Sequence, residues 1–131
     1  MELIKTLTEE HKIIGEIFDA IDNASDQENR KILIQKLLTV AGDHFKKEDE
    51  QLYPVLLKSP DEEVRSMADI FSLTMGGYAK EFGVIAEEIM ATDSVLSAEL
   101  VIRYEKIRDR IKDRVVIEEV TIFPAFENLS E

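Results

Sequence analysis

The chain has 131 residues, 44 % of them hydrophobic and 34 % charged, with 5 Gly, 3 Pro and no Cys. That mixture suits one domain over residues 1–131 built from long amphipathic helices, and the missing thiols exclude disulfides, thiolate metal sites and cysteine nucleophiles. A net charge of −12 argues against nucleic acid or an anionic membrane surface as partner, and no apolar run approaches the length of a membrane span. The opening residues MELIKTLTEEHK hold no basic region followed by an apolar stretch, so no secretory signal is expected and a cytoplasmic location is the default.

Four segments carry a helical period. In the first, Leu7, His11, Ile14, Phe18 and Ile21 recur at steps of four and three, and Thr6 with Glu9 forms a capping-box pattern that predicts the start. Asn23 to Gln27 reads as a connection. The second segment, from about Glu28 to Leu57, has the stripe Ile34, Leu37, Ala41, His44, Glu48, Leu52 and Val55. Pro54 should kink or end it near Tyr53, since proline removes a donor and crowds the preceding turn.

Ser59-Pro60-Asp61-Glu62 predicts a new start with Ser59 as the cap and Pro60 as the first helical residue. Its stripe is Val64, Met67, Phe71, Met75, Tyr78, Phe82, Ile85 and Ile89, and Gly76-Gly77 predicts a bend or a close helix approach. The Met side chains read as packing, with the lining of a small apolar access route as the weaker alternative. Thr92 to Ser94 is the next connection. The fourth stripe is Leu100, Tyr104, Ile107, Ile111, Arg114, Glu118, Ile122 and Ala125, with Pro124 marking its end. Short links between such helices predict an all-α, up-down-up-down antiparallel four-helix bundle.

The chain also repeats itself. DHFKKEDEQLYP, from Asp43 to Pro54, aligns with DRVVIEEVTIFP, from Asp113 to Pro124, and Glu10–Glu16 aligns with Glu81–Glu87. The bundle should therefore have an approximate internal two-fold axis. Glu48 pairs with Glu118 in this alignment, whereas His44 meets Arg114 and His11 meets Phe82.

His11, His44, Glu48, Arg114 and Glu118 all sit on stripes that should face the core. Buried without partners they are expensive, so they must meet one another, a metal or water. The two His are the only ones in the protein. Two imidazoles with one or two carboxylates suit one Fe(II), Zn(II) or Mn(II) ion. Arg114 is expected to pair with Glu118 and with Glu48. With neutral histidines, Glu48, Glu118 and Arg114 sum to one negative charge, which a single proton would neutralise without any metal.

EH in the first helix, HxxxE followed by LYP in the second and EExxIFP in the fourth resemble the hemerythrin-like (HHE cation-binding) family over almost the whole chain. The resemblance implies a four-helix bundle holding a non-haem di-iron centre, used for oxygen binding, iron or oxygen sensing, or nitric-oxide responses. It implies His11, His44 and Glu48 as ligands of one metal and Glu118 as the bridging carboxylate, with Glu119 as a near alternative. Phe82 and Arg114 replace family histidines, and Tyr78 stands where another is often found, leaving it a weaker candidate ligand or a packing residue. A di-iron centre is therefore not expected. Two readings stand: a non-enzymatic bundle that binds one metal or senses metal, oxygen or a related small ligand, and a metal-free helical interaction module with a buried Arg-Glu-His network.

Overall fold

The computed structural model describes residues 2–93 and 95–130, and among them the chain forms four helical arms and no strand. The first arm is Glu2–Asp22. It begins one turn before the Thr6 capping box, because Ile4 and Leu7 extend the apolar stripe backwards and are both buried. Burial of two large aliphatic side chains, about 1.5–3 kcal/mol each, outweighs what a cap at Thr6 would contribute.

The second arm is capped by Asp26, whose side chain accepts from the Asn29 N–H at 2.8 Å. It runs as α-helix over Gln27–Lys47, widens into a π-helical turn over Glu48–Leu52 and returns to α-helix over Tyr53–Leu56. The Tyr53 N–H reaches back five residues to the Glu48 carbonyl. Pro54 thus follows a turn in which the ordinary four-residue pattern is already broken, and the helix carries past it. The extra residue in that turn rotates everything downstream. Tyr53 and Leu56 face inward, and Val55, expected on the core stripe, is 42 % exposed.

The fourth arm repeats this construction. Ser97 caps it, accepting from the Leu100 N–H at 3.1 Å, and α-helix over Ala98–Ile117 gives way to a π turn over Glu118–Ile122 and then α-helix over Phe123–Ser130. Pro124 does not end the helix, and Phe123 and Phe126 are buried while Ala125 lies half-buried.

The third arm, Glu62–Met90, starts at an Asp61 cap that accepts from Glu63 N–H at 2.9 Å. Ser59 is not the cap: it is buried in the preceding turn, where its hydroxyl accepts from the Asp61 N–H and its carbonyl accepts from Arg65. Pro60 stays outside the helix. Gly76 and Gly77 are exposed inside an unbroken helix, and a Cβ built on either meets nothing within 4 Å, so no helix approaches closely there. The link to the fourth arm is longer than Thr92–Ser94, extending to the Ser97 cap, and Ser94 lies outside the described residues.

The first arm packs chiefly against the second, and the third against the fourth, as the internal repeat implies. Apolar side chains gather in two groups. Ile14, Phe18, Leu37, Phe82, Ile85 and Ile107 belong to one, and Leu7, Leu52, Tyr53, Phe71, Ile122 and Phe123 to the other. The inward polar residues fall between these groups along the first, second and fourth arms. No helix among the described residues is long and apolar enough to cross a membrane.

Candidate metal centre

Four buried polar side chains meet at the waist of the bundle: His11 from the first arm, His44 and Glu48 from the second, and Glu118 from the fourth. Each is no more than 5 % exposed. One donor atom from each lies within 4.8 Å of all the others. Glu48 and Glu118 each open a π turn, so the widened turns bring the two repeat-related carboxylates to the same place from opposite arms.

Both imidazoles are held from behind. His11 Nδ1 lies 2.8 Å from Glu119 Oε2, and His44 Nδ1 lies 2.9 Å from Glu10 Oε1. An ionised carboxylate only accepts, so it places the proton on Nδ1 and leaves Nε2 for the interior. His11 Nε2 faces Glu118 Oε1 at 2.9 Å, and His44 Nε2 faces Glu48 Oε2 at 3.4 Å. A lone-pair nitrogen and a carboxylate oxygen at such a distance require a proton or a cation between them. The rings themselves lie 4.7 Å apart at 52°, and His11 stacks on Phe123 at 5.3 Å and 13°.

The proton balance follows from burial and neighbours. Burial, then the adjacent Glu118 carboxylate, pushes Glu48 up to about 11, so Glu48 holds a proton. Burial acts on Glu118 in the same sense, but hydrogen bonds from His11, Glu48 and Tyr53 together outweigh it and hold Glu118 below the usual carboxylate range. The Tyr53 hydroxyl donates to Glu118 Oε2 at 2.5 Å, and burial followed by the Glu118 charge keeps the phenol protonated. Burial of Glu10 is likewise overcome by hydrogen bonds from Lys47 and His44, which leave it ionised.

The residues present fit a single small divalent cation. Two Nε2 atoms and two carboxylates make a nitrogen–oxygen donor set of the kind zinc, iron and manganese accept. Each histidine has the carboxylate behind it that fixes a ligating ring and raises its basicity. Glu48 Oε2 is buried and has no hydrogen-bond partner, an atom that a cation would satisfy.

The other expected positions turn out differently. Glu118 is the inward carboxylate, while Glu119 stands behind His11. Arg114 does not pair with Glu118 or Glu48. Its half-buried guanidinium lies over the rings of Phe71, at 5.7 Å, and Tyr78, at 5.9 Å, and Tyr53 takes the donor's part at Glu118 instead. Tyr78 packs against both apolar groups and stands outside the four-residue donor set. Phe82 is buried with its ring edge-on to Phe18 at 6.0 Å. Sequence reasoning passed over Tyr53 and Glu10. Tyr53 entered only as part of the LYP motif and the stop before Pro54, and Glu10 only as the residue before His11 in the EH motif and the repeat alignment.

A four-helix bundle with a buried histidine–glutamate layer that could hold one cation is consistent with the hemerythrin type. This chain belongs to the hemerythrin HHE cation binding domain family, whose model matches residues 2–126. Neither the curated proteins nor the solved structures contain a significant match.

Proposed function

We propose that this chain holds one divalent ion, Fe(II), Zn(II) or Mn(II), between His11, His44, Glu48 and Glu118, and works as a metal- or small-ligand-responsive bundle. On this reading it is neither a di-iron oxygen carrier nor an enzyme. The observation that carries it is the convergence of two backed imidazoles and two buried carboxylates within 4.8 Å, one of whose oxygens, Glu48 Oε2, lacks a partner. Among the described residues a second ion finds no comparable set, because Phe82 offers no lone pair and Arg114 is a permanent cation.

When bound, such an ion supplies an electrophilic centre whose free coordination positions accept water or a small ligand such as oxygen or nitric oxide. The protein's own part is positional. Glu10 and Glu119 hold the rings, Lys47 keeps Glu10 charged, and Tyr53 keeps Glu118 ionised and pointing inward. The surrounding phenylalanines and isoleucines exclude bulk water. The strong negative charge supports a role that involves neither nucleic acid nor anionic lipid.

The alternative reading is a metal-free interaction module in which Tyr53, His11, Glu118 and the Glu48 proton close the layer by themselves. The hydrogen bond from Tyr53 to Glu118 favours it. Metal content of protein purified without chelator, followed by titration with iron and zinc, separates the two. About one ion per chain is expected. Protein that is metal-free and refuses both ions would leave the module as the answer.

A further inference from the structure

A cavity of about 200 Å³ opens beside the histidine layer and is distinct in chemistry from it. Its walls include Ile14, Phe18, Leu37, Met75, Phe82 and Ile111, drawn from all four arms, and the rings of His11 and His44. No Lys, Arg, Asp or Glu lines it. All four imidazole nitrogens are directed at carboxylates, three at 2.8–2.9 Å and His44 Nε2 at 3.4 Å from Glu48 Oε2, and none of those carboxylates lines the space. The small residues Ala41 and Gly42 of the second arm and Ala79 of the third also line it.

Size and lining select the occupant. An apolar cavity of about 150 Å³ stays dry and admits benzene, so this one takes slightly more. It is too small for a drug-sized or nucleotide ligand, which needs about 300 Å³ or more. We infer that this chamber is a binding site for one compact, neutral, apolar molecule of monocyclic-aromatic size, seated against His11 and His44. Neutrality follows from the absence of any countercharge on the walls, and compactness from the volume. The site does not depend on the cation, since its apolar walls stand whether or not the inner nitrogens hold one.

The test uses benzene as the probe and the methyl NMR spectrum as the readout, on the chelated full chain. Saturable shifts are expected at Ile14, Leu37, Met75 and Ile111, with a dissociation constant in about the millimolar to submillimolar range. Ala79→Leu and Gly42→Leu should each weaken binding by about tenfold or more. Leucine is a far better helix former than glycine, and a Cβ at position 42 meets nothing within 4 Å, so thermal unfolding should show Gly42→Leu folded. Shifts that do not saturate in the parent, or binding undiminished in both folded variants, would overturn the assignment. Because the protein is chelated throughout, failure here is distinct from failure of the cation reading.

Discussion

Glu10 holds His44 from the solvent side, its Oε1 2.9 Å from the Nδ1 of the ring, while its other oxygen accepts from Lys47. The consequence reaches the interior: a carboxylate at Nδ1 aims Nε2 at the donor set. Glu10→Gln keeps the size but removes the charge. It should weaken zinc binding by about 10–100-fold without unfolding the chain, measured by competition with a chromophoric chelator. Equal affinity in parent and variant would show that the pairing has no part in cation binding.

Removing a ligand outright makes a sharper comparison. With free zinc at a hundred times the dissociation constant, the parent should gain about 2.7 kcal/mol of stability over its chelated form. His44→Ala should unfold at the same temperature with and without chelator. Differential scanning calorimetry of the four samples reads this directly, and a parent indifferent to chelation sinks the cation reading.

Tyr53 is expected to matter most when no metal is present. Its hydroxyl is a buried donor to an ionised carboxylate, a kind of bond whose loss costs about 1.5–3 kcal/mol. Tyr53→Phe should show that loss in urea unfolding of the chelated protein. A change below about 0.5 kcal/mol would mean that Glu118 finds another donor.

Glu48 makes the metal-free protein sensitive to pH in a definite direction. Its folded pKa, about 11, lies above the ordinary 4.5, so the folded chain holds one more proton than the unfolded chain between those values. That contribution is complete below pH 4.5 and shrinks as pH rises toward 11. Glu118 is shifted the other way, so its contribution is present above its ordinary value and is lost in acid. From about pH 6 to about pH 9, the chelated parent should lose up to about 1.4 kcal/mol per pH unit relative to Glu48→Gln, which cannot titrate. Parallel stability curves for the two proteins would show that Glu48 is not holding the proton.

Arg114 separates two pictures of the layer. If it were the countercharge to Glu118, its removal would cost about 3–5 kcal/mol. Half-buried over Phe71 and Tyr78, it contributes on the order of 1 kcal/mol for each ring. Arg114→Leu should therefore cost no more than about 2 kcal/mol in denaturant unfolding and leave zinc affinity unchanged.

The amino-acid order by itself determined the four helices, the internal pairing of the first two with the last two, and the inward place of His11, His44, Glu48 and Glu118, though not the half-buried place of Arg114 or the burial of Ser59. Those are consequences of local periodicity. Apolar side chains at steps of three and four commit a stretch to a helix and choose its inner face, and a histidine or glutamate on that face is conspicuous wherever it falls. His11, His44, Glu48 and Glu118 were legible for that reason. What each of them touches was decided only by the tertiary structure, because reach across a bundle is a matter of a few ångströms that spacing along one helix does not contain. The π turns displaced Val55 and brought Tyr53 inward, where its hydroxyl found Glu118. Arg114 swung onto two aromatic rings, and Glu10 and Glu119 took places behind the histidines. The charges in the layer were written in the chain, and their partners were chosen by the packing of the helices around them.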